Sequence, residues 1–398
     1  MIAAGLKAAL QREKEVSMNI TKMRKLSYDE VARCNKCGFC LPNCPVYLVE
    51  GKESAAPRGR NAITRAVIEG RLEWSEDIEK SIFTCLGCGA CTAACFPKVQ
   101  TKDLVLRDRE CLVGEGLYPK IADRVAKFLE ENHNISDEDN EERGEWRELM
   151  KELPGHAFEK AHAETIFFVG CVASFFPMAQ KIPVNMSRIM ERAQVDFTIL
   201  GGEEWCCGFP LIGAGMPDKM QRMVEHNLEK VKAVGAKEIV FTCPSCYHTW
   251  GHLYDTDVTL RHSSQMLDQM IQDGRIKLKE IKAKVTYHDP CDLGRNSGVF
   301  EEPRRVLRAI PGIELVELPN NRQLSVCCGG GGNVEMVNPE LSGKVAQMKL
   351  DQIKSTGADM VVSACQQCLR TIATRARRQK VDIVVKDLTE LVMEAMDV

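Results

Sequence analysis

Eighteen of the nineteen cysteines in this chain fall into four compact groups, and the groups come as two pairs. The first pair is Cys34-x2-Cys37-x2-Cys40-x3-Cys44-Pro45 and Cys85-x2-Cys88-x2-Cys91-x3-Cys95. The second pair is longer: Cys171, then Cys206-Cys207-Gly208, then Cys243-x2-Cys246, recurring as Cys291, Cys327-Cys328-Gly329 and Cys365-x2-Cys368. Thiols grouped this way constrain the fold more than any apolar pattern, because each group must gather around a common centre. No signal peptide is read: Lys7 interrupts the short apolar stretch of residues 1–10, and residues 11–16 are strongly polar. A cytoplasmic location is therefore expected, where grouped thiols serve as metal ligands rather than disulfides.

At 398 residues and 44% hydrophobic, the chain can bury two or three ordinary cores. A formal charge of −3 gives no basic footprint, so no nucleic-acid partner is expected. The longest apolar run, Thr165–Ala179, contains Gly170 and Pro177 and falls short of the roughly 20 residues that cross a bilayer. Peripheral docking on a membrane partner stays open.

The expected class is α+β / α/β, with an α-helical N-terminal domain and two duplicated α/β modules. Residues 1–130 read as the helical domain: amphipathic helix over 1–30, helix from Asn61 within Pro57–Arg71, then helices Leu104–Val113 and Pro119–Glu131. Residues 131–162 read as an acidic linker and a boundary, with Glu131–Glu148 a solvated linker or exposed helix. Residues 163–280 and 281–398 are the two modules. In the first, strands Thr165–Val169, Phe197–Leu200 and Glu238–Thr242 alternate with helices Val184–Ala193 and Lys219–Val234. The second repeats the plan with strands Val285–His288, Glu314–Glu317 and Met360–Ser363 and helices Glu302–Ala309 and Leu341–Ser355. Offsets of 120 (Cys171 to Cys291), 121 (Cys206 to Cys327) and 122 (Cys243 to Cys365, Gly235 to Gly357) mark internal duplication. Cysteines then sit at the carboxyl ends of strands, where open α/β sheets bind ligands. A pseudo-twofold relation would bring the two cysteine edges together.

C-x2-C-x2-C-x3-C-P is the bacterial ferredoxin run, in which three thiolates hold one cubane and the fourth reaches the other. On that logic Cys34, Cys37, Cys40 and Cys95 hold one [4Fe–4S] cluster, and Cys85, Cys88, Cys91 and Cys44 the second. Zinc also takes four thiolates, but its sites pair two C-x2-C units rather than stringing four thiols together. In the second run proline stands one position late, after Cys95-Phe96. The longer motif brings five thiolates together, one more than a cubane needs.

That longer motif, present twice, resembles the cysteine-rich CCG domain of heterodisulfide reductases, which also occurs in iron–sulfur subunits of glycolate, lactate and anaerobic glycerol-3-phosphate dehydrogenases. Two cubane motifs followed by two CCG modules resemble the D-type subunit of the membrane-linked reductase. The likeness runs from about residue 28 onward and includes Glu203-Glu204-Trp205-Cys206-Cys207-Gly208, the stretch Tyr287 to Arg295, and Gly298 to Arg304. The resemblance implies a noncubane [4Fe–4S] cluster on Cys171, Cys206, Cys207, Cys243 and Cys246, and another on Cys291, Cys327, Cys328, Cys365 and Cys368. It implies single electrons passing through the cubanes to these ten catalytic cysteines, where a disulfide is cleaved or formed. Implied partners are a cytochrome b membrane subunit or a flavoprotein, with a small-molecule thiol or disulfide as substrate. The alternative is an electron-transfer subunit for a flavin-dependent lactate, glycolate or acyl-CoA dehydrogenase. Asp292 and Asn296 stand where the family commonly has histidines, a departure that bears on substrate more than on clusters.

Other residues read more plainly. Cys111 belongs to no motif and is expected as a small buried hydrophobe. His288 can donate a proton to a leaving thiolate, or satisfy a backbone carbonyl at its strand end. His248 and His252 have metal-binding spacing but no acidic partner, and read as a polar helix face. Gly329–Gly332 lacks the context of a phosphate loop and reads as room for close backbone approach to a cluster. Arg58 and Arg60, beside the first cubane motif, can tune a cluster's potential electrostatically, with solvation at the surface the default expectation. No flavin or nicotinamide fingerprint is present, so hydride chemistry belongs to another protein of the complex.

Overall fold

The computed structural model describes residues 27–150 and 158–397. The helix expected over 1–30 lies outside the described residues up to position 26, as do linker residues 151–157.

Helices dominate the N-terminal region. Pro57–Ile68 begins on a proline, whose fixed φ and missing N–H suit the first turn, four residues before the expected start. Glu76–Phe83 is capped by the Ser75 side chain, which accepts from the Ile78 amide. Thr101–Gly114 and Ile121–Glu131 follow. Asn61 and Thr101 are joined by a buried hydrogen bond of 3.0 Å, and Thr64 donates to Asp108 at 2.7 Å, tying the first and third of these helices.

Two four-stranded parallel sheets follow, with equivalent strand orders β2-β1-β3-β4 and β6-β5-β7-β8. The first contains β1 (Thr165–Phe168), β2 (Phe197–Thr198), β3 (Glu238–Phe241) and β4 (Thr259–His262). The second contains β5 (Ala283–His288), β6 (Ile313–Val316), β7 (Met360–Ser363) and β8 (Val384–Asp387). Strands β1, β3 and β7 are nearly or wholly buried, as parallel sheets covered on both faces require. Gly235 closes helix Gln221–Val234 at φ +74°, as the duplication led one to expect. Beyond the elements foreseen, each sheet gains a fourth strand, and each C-x2-C group opens a helix, Pro244–Leu253 and Gln366–Arg378.

One apolar core runs through both modules. Phe167 on β1, Val240 on β3, Tyr287 on β5 and Val362 on β7 belong to it, with Ile189, Leu307 and Leu391 from the covering helices. Helix Ser263–Gln272 packs on Glu301–Ala309, and Lys181–Arg192 on Leu388–Asp397. A shared core fixes the two sheets against each other.

The acidic stretch is helical in part but not exposed, unlike the solvated linker or exposed helix expected. Its 3-10 helix Asn140–Met150 buries Asn140, Arg143, Trp146 and Met150, and the last two join the shared core. Charged neighbours hide these inward residues from a compositional reading. Among the described residues no helix is long and apolar enough to cross a membrane.

Candidate metal centres

In both sheets the strand order reverses between the first and third strands (β1 and β3, β5 and β7), the switch point where open α/β sheets form a crevice. Cys171 and Cys243 follow β1 and β3; Cys291 and Cys365 follow β5 and β7. A single cavity of about 480 Å³ is lined by all ten cysteines of the two long motifs. Its walls also include Leu86 and Leu106 from the helical region, Phe176 and Ile212 from the first module, and Lys102, Asp292 and Arg370 as charged groups.

Within each set the thiols touch in a chain. Cys171 hydrogen-bonds Cys206, and Cys246 hydrogen-bonds Cys207 and Cys243. In the second set Cys327 bonds Cys291 and Cys328, while Cys368 bonds Cys328 and Cys365. Donation from Cys206, then from Cys246, holds the Cys207 thiol down at about 6, while donation to Cys207 and Cys243, with burial, pushes Cys246 well up. Five clustered thiols, four of them buried, cannot all ionise without a counter-cation. Soft donors without a ligating carboxylate suit iron of a sulfide cluster rather than a hard cation.

Two smaller cavities lie in the helical region. One is lined by Cys44, Cys85, Cys88 and Cys91, the other by Cys34, Cys37, Cys40 and Cys95 together with Cys91. The first gathers three thiols of the second run with the fourth of the first, the crossed grouping the ferredoxin spacing leads one to expect; the second gathers three of the first run with Cys95 and also Cys91. Cys37 is exposed, and Phe96, the residue that delays the proline, is 84% exposed beside Cys95. The second group lies deeper, with Cys44 and Cys88 buried; Cys88 faces Cys327, and that neighbour and the Arg295 charge hold its thiol down at about 6 against the opposing effect of burial. Gly331 and Gly332 seat this contact. A Cβ at either would lie 2.7 Å or 2.6 Å from the carbonyl oxygen of Leu86 or Cys85. The glycine run thus admits the backbone of the helical region.

A buried ion pair braces the first module. Arg143 Nη1 meets Glu204 Oε1 at 2.8 Å, with side chains 2% and 1% exposed. Glu204 accepts from the Val169 and Gly170 amides at 2.7 and 2.8 Å, holding the turn that delivers Cys171. Arg143 also reaches the Cys171 sulfur at 3.5 Å. Across the module boundary, Gln366 donates to Val169 O at 2.7 Å and Thr242 Oγ1 at 2.9 Å and accepts from Ala173 N at 3.1 Å. Ser245 donates to Asp292 at 2.7 Å, and Asn296 to the other carboxylate oxygen at 2.7 Å. The positions where histidines were expected thus form a cross-module strut.

His288 does not satisfy a backbone carbonyl with its ring. Both ring nitrogens lack an oxygen or nitrogen partner, and the ring lies within 4.8 Å of the Cys328 and Cys368 sulfurs. Burial lowers its basicity. Arg60 is not at the surface: it is 2% exposed and donates to Ser81 O and Thr84 Oγ1. Arg58 is partly exposed and paired with Glu53 at 2.6 Å. Cys111 is only half-buried, and burial pushes its thiol up to about 11. His248 and His252 lie tilted against each other with ring centroids 4.0 Å apart, and among the described residues no carboxylate joins them as a ligand set. Gln366, Arg143 and Arg109 had no signal in the sequence, since burial of a polar side chain leaves no periodic trace.

Comparisons with known proteins agree with this geometry. The cysteine-rich CCG domain matches residues 165–250 and 285–373, and a 4Fe-4S dicluster domain matches residues 30–99. The chain is 31% identical, over 95% of its length and 96% of the relative's, to the D-type subunit of dihydromethanophenazine:CoB–CoM heterodisulfide reductase from Methanosarcina barkeri. It is 27% identical to the EtfAB:quinone oxidoreductase of Syntrophomonas wolfei, over 92% of this chain and 58% of that one. A probable glycolate oxidase iron–sulfur subunit of Bacillus subtilis is 24% identical, covering 93% and 95%. With a dicluster ferredoxin-type region, two CCG domains and end-to-end similarity to that reductase component, the chain belongs to the D-type family of heterodisulfide reductase iron–sulfur subunits.

Proposed function

We propose that this chain reduces, or in reverse forms, a disulfide at the cavity shared by its two CCG modules. The observation that carries the reading is that one cavity is lined by all ten CCG cysteines, with the second ferredoxin group touching it through Cys88 and Cys327. The division is residues 1–130 for entry and 163–280 and 281–398, related by a pseudo-twofold, for chemistry. Cys34, Cys37, Cys40 and Cys95 hold one cubane, and Cys44, Cys85, Cys88 and Cys91 the other. Each five-cysteine set holds a noncubane cluster. When bound, these four clusters supply one-electron carriers and soft iron for sulfur.

The stoichiometry explains the pairing. Cleaving R–S–S–R′ takes two electrons and two protons and yields two thiols, whereas each carrier delivers one electron. Two equivalent sites let each sulfur be held separately. Apolar walls at Phe176, Ile212 and Leu106 exclude water, which strengthens electrostatic contacts inside. Arg370, stacked at 4.1 Å over Phe176, and Lys102 are the cations available to orient the two substrate arms. His288 is placed to hydrogen-bond sulfur at the second site. The partner is a cytochrome b membrane subunit or a flavoprotein, on the cytoplasmic face.

Similarity to EtfAB:quinone oxidoreductase and to a glycolate oxidase subunit favours a second reading, an electron conduit for a flavin dehydrogenase with no substrate of its own. Anaerobic iron and sulfide analysis with oxidised-state EPR separates the two. About sixteen irons per chain and a signal that shifts on adding thiol support disulfide chemistry. Full iron content with no thiol response leaves the conduit.

A further inference from the structure

Three guanidinium groups surround the second ferredoxin-type cysteine group, and none of them forms an ion pair among the described residues. Arg109, on helix Thr101–Gly114, is fully buried. Its five hydrogen bonds all go to main-chain carbonyls: Gly213 at 2.7 Å, Gly332 at 3.1 Å, Cys85 at 2.6 Å, Ile82 at 3.3 Å and Phe83 at 3.4 Å. The charged neighbours that act on it are Cys85 and a second cation, Arg60. Arg60 is held by Ser81 O and Thr84 Oγ1 and acts on Cys44. Arg295 donates to Cys88 O at 2.8 Å and acts on the Cys88 thiol. Asp108, the carboxylate that faces Arg60, is itself buried and bonded to Thr64, and burial pushes it up to about 7.

A buried cation without a carboxylate is costly, and proteins rarely keep one unless an anion arrives to meet it. A thiolate-bound iron–sulfur cluster is such an anion, and it gains one further negative charge on reduction. Among the described residues the first cysteine group has no comparable setting. Its nearby Arg58 is partly exposed and already neutralised by Glu53 at 2.6 Å, and Cys37 opens to solvent.

We propose that Arg60, Arg109 and Arg295 are the counter-charges of the second cluster and make it accept an electron more readily than the first. The inference rests on the cluster occupancy proposed above. One electron leaves the cluster at Cys34, Cys37, Cys40 and Cys95, which is oxidised. It enters the one at Cys44, Cys85, Cys88 and Cys91, which is reduced. No proton moves with it, because the guanidinium groups stay charged throughout. The fold thereby biases current inward, toward Cys327 and the shared cavity.

The test is an anaerobic EPR-monitored redox titration of the full chain, with iron counted in every sample. Cys37→Ala identifies the first cluster by the signal it removes. Arg109→Gln lowers the midpoint of the second cluster by a tenfold or greater change in its reduction equilibrium, about 59 mV for one electron, and leaves the first unmoved. Arg109→Lys restores most of the shift, which a purely structural role for the carbonyl contacts would not do. Arg60→Gln and Arg60→Lys repeat the comparison should Arg109→Gln not fold. An unmoved midpoint at full iron content, or a lysine variant no better than glutamine, overturns the assignment. Wild-type protein lacking iron at the ferredoxin-type cysteines overturns the occupancy reading instead.

Discussion

Replacing Arg143 by methionine should destabilise the chain by about 3–5 kcal/mol at pH 8, the range for breaking one side of a buried ion pair. The structure leaves Glu204 little to fall back on. With its partner gone, the carboxylate keeps the amides of Val169 and Gly170, and its side chain is 1% exposed. Burial already raises the Glu204 carboxyl while Arg143 opposes it. Removing the arginine raises it further, so the folded carboxyl binds a proton at higher pH than the unfolded one. Stability from such a group is complete below the unfolded pKa and lost as pH rises, so the variant lies closer to wild type at pH 5 than at pH 8. Changing Glu204 to glutamine in the Arg143→Met background keeps an acceptor for one amide and removes the stranded charge; most of the loss returns. Anaerobic urea unfolding at matched iron content, at both pH values, measures each step. A single-variant loss below about 0.5 kcal/mol, or a double variant no more stable than the single, refutes the ion pair as the brace of the Cys171 turn.

Gln366→Leu removes three buried hydrogen bonds that tie the second module's C-x2-C helix to the ends of β1 and β3. With about 1–3 kcal/mol for each group left unpaired, its unfolding midpoint falls, and its thiol-dependent EPR response is lost before its iron; an unchanged response argues against the strut. Gly332→Ala places a Cβ 2.6 Å from Cys85 O at φ +58° and forces the helical region away from the cavity. Stopped-flow reduction should then show ferredoxin-type clusters reduced at the normal rate and CCG clusters more slowly, and equal rates would contradict the contact. Asp387 is buried, caps the helix Leu388–Asp397 through Thr389, and has its carboxyl raised to about 7, chiefly by burial. Its contribution is therefore complete below about pH 4 and lost toward pH 7. Asp387→Asn keeps the cap and flattens that decline, which urea midpoints from pH 5 to 8 would register.

Cysteine chemistry was the legible part of this chain. The ferredoxin spacing anticipated that Cys44 would join the second group and Cys95 the first, and two cavities gather the thiols that way. Constant offsets located both modules and six of the eight strands, because buried parallel strands are short apolar runs ending at cysteine. The fourth strands escaped notice. Thr259–His262 and Val384–Asp387 sit at sheet edges and are half-exposed, so they carry polar residues that mask an apolar run. Asn140–Met150 failed for the opposite reason: its acidic composition announced solvent, while Trp146 and Arg143 turned inward to partners far along the chain. Buried cations are invisible to pattern reading for the same cause. Arg109 and Arg60 look like surface charges until their carbonyl partners are known.

Duplication also did not produce two equal sites. At matching offsets from Cys171 and Cys291, the first module carries Phe168 where the second carries His288. Phe168 packs among Phe241 and Trp250, whereas the His288 ring is within 4.8 Å of two cavity sulfurs. Glu204, bound to Arg143, corresponds to Ser325, which donates to the Asp289 carbonyl; the second module instead pairs Asp289 with Arg304 at 2.7 Å. Pro244, which donates no main-chain hydrogen bond, corresponds to Gln366, which reaches across the boundary. The second site thus has a hydrogen-bond donor at its sulfurs, the cross-link to its partner and direct contact with the ferredoxin-type group through Cys88. On the proposed function, an electron arriving by that contact would meet the second site first, where the His288 ring is placed to stabilise a sulfur that has gained charge. On the same reading the first site, walled by aromatic rings and a closed ion pair, would act after it. A two-electron cleavage divided into ordered single steps needs that kind of inequality, which two identical modules would lack.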